Sequence, residues 1–234
     1  MRALLLAAGL GTRLRPLTDT VPKCLVDING RPLLDYWMEQ LTEAGIRDIL
    51  VNLHYLPAAV EAYLKQCRFH ANITTVFEPE LLGTAGTLRK NMSWSSGHDL
   101  MLVHADNLSK FNMREFMNCY LKRSPGIEIT MMTFVTDDPK SCGIVETDEH
   151  GVVRAFHEKV PNPPGNVANA AVYILSPAVQ EFVGAIDKEK IDFSTEILPH
   201  FLGRINTFQN LVYHRDIGSP EQLVLARKEF PNHR

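Results

Sequence analysis

The stretch "LLLAAGLGTRLRPLT", Leu4 to Thr18, decides the fold. An apolar run passes into Gly9 and Gly11, then Arg13, Arg15 and Pro16. After Arg2 this could be a secretory leader, the opening of a dinucleotide fold, or a buried strand that feeds a loop. The apolar run is short, glycines interrupt it and arginines follow at once, so a strand ending in a loop fits better than a leader. Gly9 and Gly11 have the spacing of a GxG turn. The dinucleotide fingerprint needs a third glycine where Leu14 stands, and GxxxxGK[ST] is absent. Glycines let backbone N–H groups approach a ligand. Arg13, Arg15 and Lys23 add donors suited to phosphate oxygens. The plain alternative is a tight surface turn with solvated basic residues. Three positive side chains around one loop shift the reading towards a loop for a triphosphate.

Working outward, 234 residues, 45% of them hydrophobic, suit one large domain or two small ones. The formal charge of -3 points to neither nucleic acid nor an anionic membrane, so a polyanionic ligand needs a local basic site. Four cysteines without CxxC spacing imply a reduced, cytoplasmic protein. Nine scattered histidines give no metal-binding pattern. No stretch approaches the roughly 20 apolar residues that span a bilayer.

The first half alternates strands and helices. "RALLLAA", "DILVNLHY", "NITTVFE" and "HDLMLVHADN" read as strands, and "PLLDYWMEQLTEAG", "PAAVEAYLKQC" and "NMREFMNCYLKR" as helices. That order argues for a mostly parallel sheet covered on both faces. The second half is richer in strands: "IEITMMTFV", "GIVETD", "VVRAFHEK" and "NAAVYIL", with "DEHG" as a hairpin turn. "SPAVQEFVGAI" and "STEILPHFLGRI" then read as helices, "FQNLVYH" as a strand and the end of "RDIGSPEQLVLARKEF" as a helix. The fold expected is α/β, a Rossmann-like three-layer α/β/α arrangement with a mixed, mostly parallel central sheet and a smaller β-rich part.

Several constellations carry chemistry. "VHADN" delivers Asp106 at the carboxyl end of an apolar strand, where open α/β sheets bind ligands and a carboxylate can hold Mg²⁺ beside phosphates. A helix cap or turn aspartate is the commoner role. "RDIGSPEQL" places Asp216 before a helix capped by Ser219; it is either a second carboxylate for the same ion or a turn-ordering residue. Sequence spacing does not bring the two together. "ELLGTAG" sets Gly83 and Gly86 before a helix, where backbone can approach a flat base. In "FHEKV", Glu158 and Lys159 are adjacent in a strand and point to opposite faces. Both reach one ligand only through a loop or bulge, and a solvated pair at a strand end is the simpler reading.

The combination resembles the sugar-1-phosphate nucleotidyltransferases. "GLGTRLRPLT" with Lys23, then "LLGTAGTL", "VHADN", "CGIVE", "FHEK", "NAAVYI" and "RDIGSPEQL", follow that family's order from residue 4 to about 223. The resemblance implies a nucleoside triphosphate plus a sugar 1-phosphate giving a nucleotide sugar and pyrophosphate, with Mg²⁺. It implies one catalytic domain over 1–234, nucleotide-binding to about 125 and sugar-binding from about 126. Leu6, Ala8, Gly9, Gly83, Thr84 and Gly86 would line the base and ribose pocket. Gly11, Thr12 and Arg13 would hold the triphosphate, Lys23 would contact the phosphate under attack, and Asp106 and Asp216 would bind Mg²⁺. Gly143, Glu158 and Asn169 would read sugar hydroxyls, and Lys159 would hold the sugar phosphate.

Ala8 and Ala171 stand where glycine is usual, and His214 and Arg215 where many members carry tryptophan and an aliphatic residue. "LLGTAGTL" looks most like the mannose-1-phosphate guanylyltransferase type, which favours GTP; a uridylyltransferase for an amino-sugar or other hexose phosphate is the alternative. A non-catalytic nucleotide-sugar-binding subunit is the rival of another class, disfavoured because the charged site residues are all present, and a dinucleotide dehydrogenase is a third. The expectation is a monomer or homodimer with no nucleic-acid or membrane partner. No hexapeptide-repeat tail follows the last motif, so no fused acetyltransferase is expected.

Overall fold

The computed structural model describes residues 1–230. In chain order the strands and helices are β1 (Arg2–Leu6), β2 (Asp27–Ile28), β3 (Arg31–Pro32), α1 (Leu33–Glu43), β4 (Asp48–Leu53), α2 (Pro57–Gln66) and β5 (Asn72–Phe77). Next come α3 (Thr84–Lys90), α4 (Met92–Ser95), β6 (Leu100–His104), β7 (Asn107–Lys110) and α5 (Met113–Leu121). The rest is β8 (Ile129–Val135), β9 (Gly143–Thr147), β10 (Val153–Glu158), β11 (Val167–Leu175), α6 (Pro177–Gly184), β12 (Ile205–Gln209), β13 (Tyr213–Asp216) and α7 (Pro220–Glu229). The chain forms two compact units. The expected α/β class, a mixed sheet with flanking helices, is borne out.

Among the described residues, one unit takes 2–81, 103–111 and 212–230. Its strands β1, β4 and β5 run parallel, with Ala3 opposite Ile49 and Ile49 opposite Ile73. Ala3, Leu4, Leu5, Ile49, Leu50 and Val51 are all buried, the continuous apolar signature of parallel strands covered on both faces. Helix α1 buries Leu33, Leu34, Trp37, Met38 and Leu41, the face the sequence marks, and Gly45 at φ +89° stops it. Helix α2 starts with Pro57 in its first turn. A short antiparallel ribbon, β7 with β13, pairs Asn107 with Asp216, and the Trp37 Nε1–H donates to the Asn107 carbonyl at 2.7 Å, tying the ribbon to α1.

The other unit takes Met1, 82–102 and 112–211. Strand β9 lies between β10 and β11, antiparallel to both, and β8 lies between β11 (antiparallel) and β12 (parallel). The β9–β10 hairpin forms as expected. Its turn is held by Asp148, which accepts from the N–H groups of His150 and Val152 at 2.9 and 3.0 Å.

Three local readings are corrected. Gly83 precedes a helix but Gly86 does not: α3 starts at Thr84 and takes Gly86 into its first turn. "STEILPHFLGRI" is not one α-helix: Phe193–Ile197 is a π-turn and Leu198–Phe201 a 3₁₀ turn. Pro199 has no N–H to continue an α-helical ladder. "FQNLVYH" is not one strand. It is cut between Gln209 and Tyr213, and its two pieces belong to different units. Among the described residues no helix is long and apolar enough to cross a membrane.

Candidate active site

The loop after β1 is shaped by close packing. Gly11 adopts φ +63°, and a Cβ there would lie 2.9 Å from Thr18 Cγ2 and 3.3 Å from Lys23 Cβ. Only glycine fits both the angle and the space. The Thr18 hydroxyl donates to the Gly11 carbonyl at 2.7 Å, and the Leu14 N–H reaches the same carbonyl at 2.9 Å. Leu14, where a dinucleotide loop would need its third glycine, is buried in a cluster with Val26, Ile28, Leu33, Leu108, Ile217 and Leu223. It anchors the loop to the core. A Cβ at Gly9 would meet nothing within 4 Å, so that glycine faces open space.

The three basic side chains take different places. Arg15 pairs with Asp19 at 3.2 Å on the surface. The Arg13 side chain is 71% exposed and reaches Asp216 at 3.7 Å. Lys23 is 7% exposed, and its Nζ donates to Asp106 Oδ2 at 2.8 Å and Asp216 Oδ1 at 3.2 Å. Asp106 and Asp216, which spacing could not bring together, therefore converge on one nitrogen. The β7–β13 ribbon does this: Asp106 precedes β7, Asp216 ends β13, and the Ile217 N–H reaches the Asp106 carbonyl at 3.3 Å.

Burial disfavours the Lys23 ammonium, but the Asp106 and Asp216 carboxylates outweigh it and hold its pKa above the ordinary value. Burial pushes the Asp106 carboxyl up, and Lys23 first, then His104, pull it below the usual range. Burial pushes His214 down to about 3. Its Nδ1 lies 2.5 Å from Ser109 Oγ across the ribbon.

Three further residues in this unit escaped sequence reading. A Cβ on Gly218 would sit 2.6 Å from Asp216 Oδ2 and 2.7 Å from Arg13 Nη2, so glycine leaves room for that pair. The Asn52 side chain accepts from the Ala7 N–H at 2.7 Å and donates to the fully buried Glu78 at 3.2 Å. Asn52 and Glu78 tie the carboxyl ends of β1, β4 and β5 together. The available signal was a polar residue at the carboxyl end of each of two strands.

In the other unit, Gly83 (φ +77°) and Gly86 each carry an absent side chain that the chain itself explains. A Cβ at either would lie 2.5 Å from a backbone oxygen, of Ile191 and Glu189 respectively. The Thr84 hydroxyl donates to Asp192 at 3.3 Å and accepts from the Phe193 N–H at 2.6 Å. Gly143 faces Glu158 across the hairpin, and a Cβ there would lie 2.6 Å from Glu158 Oε2. Strand β10 ends at Glu158, and Lys159 turns to φ +49°. The alternation that would separate the pair is broken at that point, and Lys159 Nζ lies 3.4 Å from Glu158 Oε1. Asn169, on the strand next to β9, donates to the Tyr173 hydroxyl at 2.6 Å and accepts from the Ala171 N–H at 2.9 Å. Ala171 itself is left-handed at φ +54°, where the β11–β8 register shifts.

Known proteins match along the whole chain. The family profile described as nucleotidyl transferase covers residues 2–232. A probable mannose-1-phosphate guanylyltransferase 1 of Oryza sativa subsp. japonica is 32% identical over 98% of this chain and 64% of its own length. Mannose-1-phosphate guanylyltransferase 1 of Arabidopsis thaliana is 31% identical over the same shares. The chain thus spans just under two thirds of these relatives. Among solved structures, HddC from Yersinia pseudotuberculosis, complexed with GMP-PN, superposes with TM-score 0.81 at 26% identity, covering 98% of this chain and 99% of that one. A putative glucose-1-phosphate thymidylyltransferase from Bacillus anthracis reaches TM-score 0.90 at 18% identity over 100% and 98%, a likeness of fold.

Proposed function

The chain belongs to the nucleotidyl transferase family, and from that membership we propose that it joins a nucleoside triphosphate to a sugar 1-phosphate, releasing pyrophosphate, with GTP and a mannose-type sugar as the favoured pair. The convergence of Asp106 and Asp216 on the buried Lys23 ammonium carries this reading. The names of the guanylyltransferase relatives and the guanine nucleotide on HddC support the choice of base and sugar.

A sugar-phosphate oxygen attacks the α-phosphorus, the bond to the bridging oxygen breaks, and pyrophosphate leaves with the electron pair. The nucleophile is already an anion and needs no strong general base. The difficulty is to bring two polyanions together, so positioning and charge neutralisation supply the catalysis. Leu6, Ala8 and Gly9 line the base and ribose. Gly11, Thr12 and Arg13 hold the triphosphate, the exposed Arg13 taking the departing pyrophosphate. Lys23 serves the phosphate under attack. Lys159 holds the sugar phosphate, while Glu158, Gly143 and Asn169 read hydroxyls, with Asn169 oriented by Tyr173 and Ala171.

The carboxylates of Asp106 and Asp216 fit Mg²⁺: both already face one cation, the Lys23 ammonium. Among the described residues no group of three or more His, Cys, Asp or Glu could hold a metal, and Mg²⁺ is commonly held by one or two carboxylates plus phosphates and water. Bound there, Mg²⁺ would neutralise phosphate charge.

The test is pyrophosphate release across four triphosphates and a panel of sugar 1-phosphates. Highest turnover with GTP and mannose 1-phosphate is expected. UTP or dTTP far above GTP would overturn the base, and silence across the panel with tight nucleotide-sugar binding would overturn the enzyme.

A further inference from the structure

Strand β5 closes one side of its sheet and, among the described residues, pairs with β4 alone. Its six residues, "NITTVF", carry no charge and no proline, and the register from Asp48–Asn72 to Leu53–Phe77 is unbroken by a bulge. Charges, proline and bulges are the usual means of blunting a sheet edge, and β5 has none. Asn72, Thr74, Thr75 and Phe77 are exposed, Phe77 by 52%.

The hydrogen-bond directions are fixed. The Asn72 N–H donates to Arg47 at 2.7 Å and the Glu78 N–H to Leu53 at 2.8 Å, both towards β4. Neighbouring residues of a strand turn their polar groups to opposite sides, so Ile73, Thr75 and Phe77 turn both N–H and C=O to the open edge. In an antiparallel pair the two residues that exchange both bonds also share a face. A two-fold axis through Thr75 therefore sets Thr75 against itself and Ile73 against Phe77. All three outward-facing residues find partners, and the exposed phenylalanine gains a β-branched neighbour. An axis through Thr74 leaves Phe77 unpaired.

We propose that two copies of this chain pair through β5 in that register, an isologous dimer with a sheet continuous across the axis. A six-residue edge is smaller than the standard interface of about 1,600 Å², so the association is weak and depends on concentration.

Sedimentation velocity between about 1 and 100 µM, a range suited to a small interface, should show the mass rising from one copy towards two. Thr75→Lys, which opposes two like charges on the axis, should keep the protein monomeric with an unchanged circular dichroism spectrum. Thr75→Cys places two thiols on Cα atoms about 5.5 Å apart, inside disulfide range. It should cross-link under mild oxidation far faster than wild type or Thr74→Cys, whose own copies lie about 8 Å apart. A wild-type protein monomeric throughout, a dimer that Thr75→Lys leaves intact, or equal cross-linking of the Thr75→Cys and Thr74→Cys variants overturns the proposal. Turnover is not part of this test.

Discussion

Replacing Lys23 by methionine removes the ammonium and keeps the apolar stem. Two charge-assisted hydrogen bonds are lost, at 2.8 and 3.2 Å. Such bonds contribute about 1.5–3 kcal/mol each, but the Asp106 and Asp216 side chains are 37% and 53% exposed and regain water. Methionine also escapes the desolvation that burial imposes on the ammonium. The net loss at neutral pH is about 2 kcal/mol, or a fall in Tm of roughly 4–8 °C for a chain of this size. The sign with pH follows from the depressed Asp106 pKa. The pair stabilises the fold above the ordinary carboxylate range and is lost as pH falls through the folded pKa, so wild type and variant should converge in acid. Mg²⁺ tests the same geometry. With Lys23 gone the two carboxylates are open to the ion, and at about tenfold over its dissociation constant Mg²⁺ should return about 1.4 kcal/mol, while wild type responds less because the ammonium occupies the same oxygens. Thermal unfolding at several pH values and Mg²⁺ concentrations measures all three effects. A variant as stable as wild type, or one that Mg²⁺ stabilises no more than wild type, refutes the reasoning.

Asp106→Asn should lower pyrophosphate release by about 10²–10³ or more while Tm drops only a few degrees; near-normal turnover at limiting Mg²⁺ would sink the metal assignment. Gly143→Ala drives a methyl into Phe156 and Glu158, so urea unfolding should show a loss of about 1–3 kcal/mol and steady-state kinetics a higher KM for the sugar phosphate. Ala171→Gly relieves about 1–2 kcal/mol of left-handed strain against about 0.5–1 kcal/mol of added chain entropy, so urea unfolding should report a small gain. His214 has a folded pKa near 3 against 6.5. Its stabilisation is full above 6.5 and is lost as pH falls, by about 1.4 kcal/mol per pH unit; His214→Asn should flatten that slope in unfolding measured between pH 7 and 5.

The alternation of "LLL", "ILV" and "YWMEQL" made the parallel strands and their helices legible, because burial on both faces writes itself as a continuous apolar run. The ribbon that gathers Asp106 and Asp216 was not legible. "NLSK" and "YHRD" are four residues each, polar, and paired over a hundred positions apart. The sequence shows Leu14 where a dinucleotide loop needs glycine, but its role as an anchor depends on residues as far off as Ile217 and Leu223. The pairing of Glu158 with Lys159 required a backbone angle, φ +49° at a lysine, that side-chain type does not announce.

The unit that holds the carboxylates is interleaved: the chain leaves it after residue 81, returns for 103–111 and returns again at 212. Lys23 thus waits for a partner 193 residues downstream. At a synthesis rate of about 5–20 residues per second that is roughly 10–40 s on the ribosome. Until then Leu14, Val26 and Leu108 lack Ile217 and Leu223 to cover them. A chain that has not yet reached residue 223 therefore carries a sticky, uncovered core beside its charged loop, which makes synthesis of the Ile217–Leu223 segment a condition for solubility as much as for chemistry.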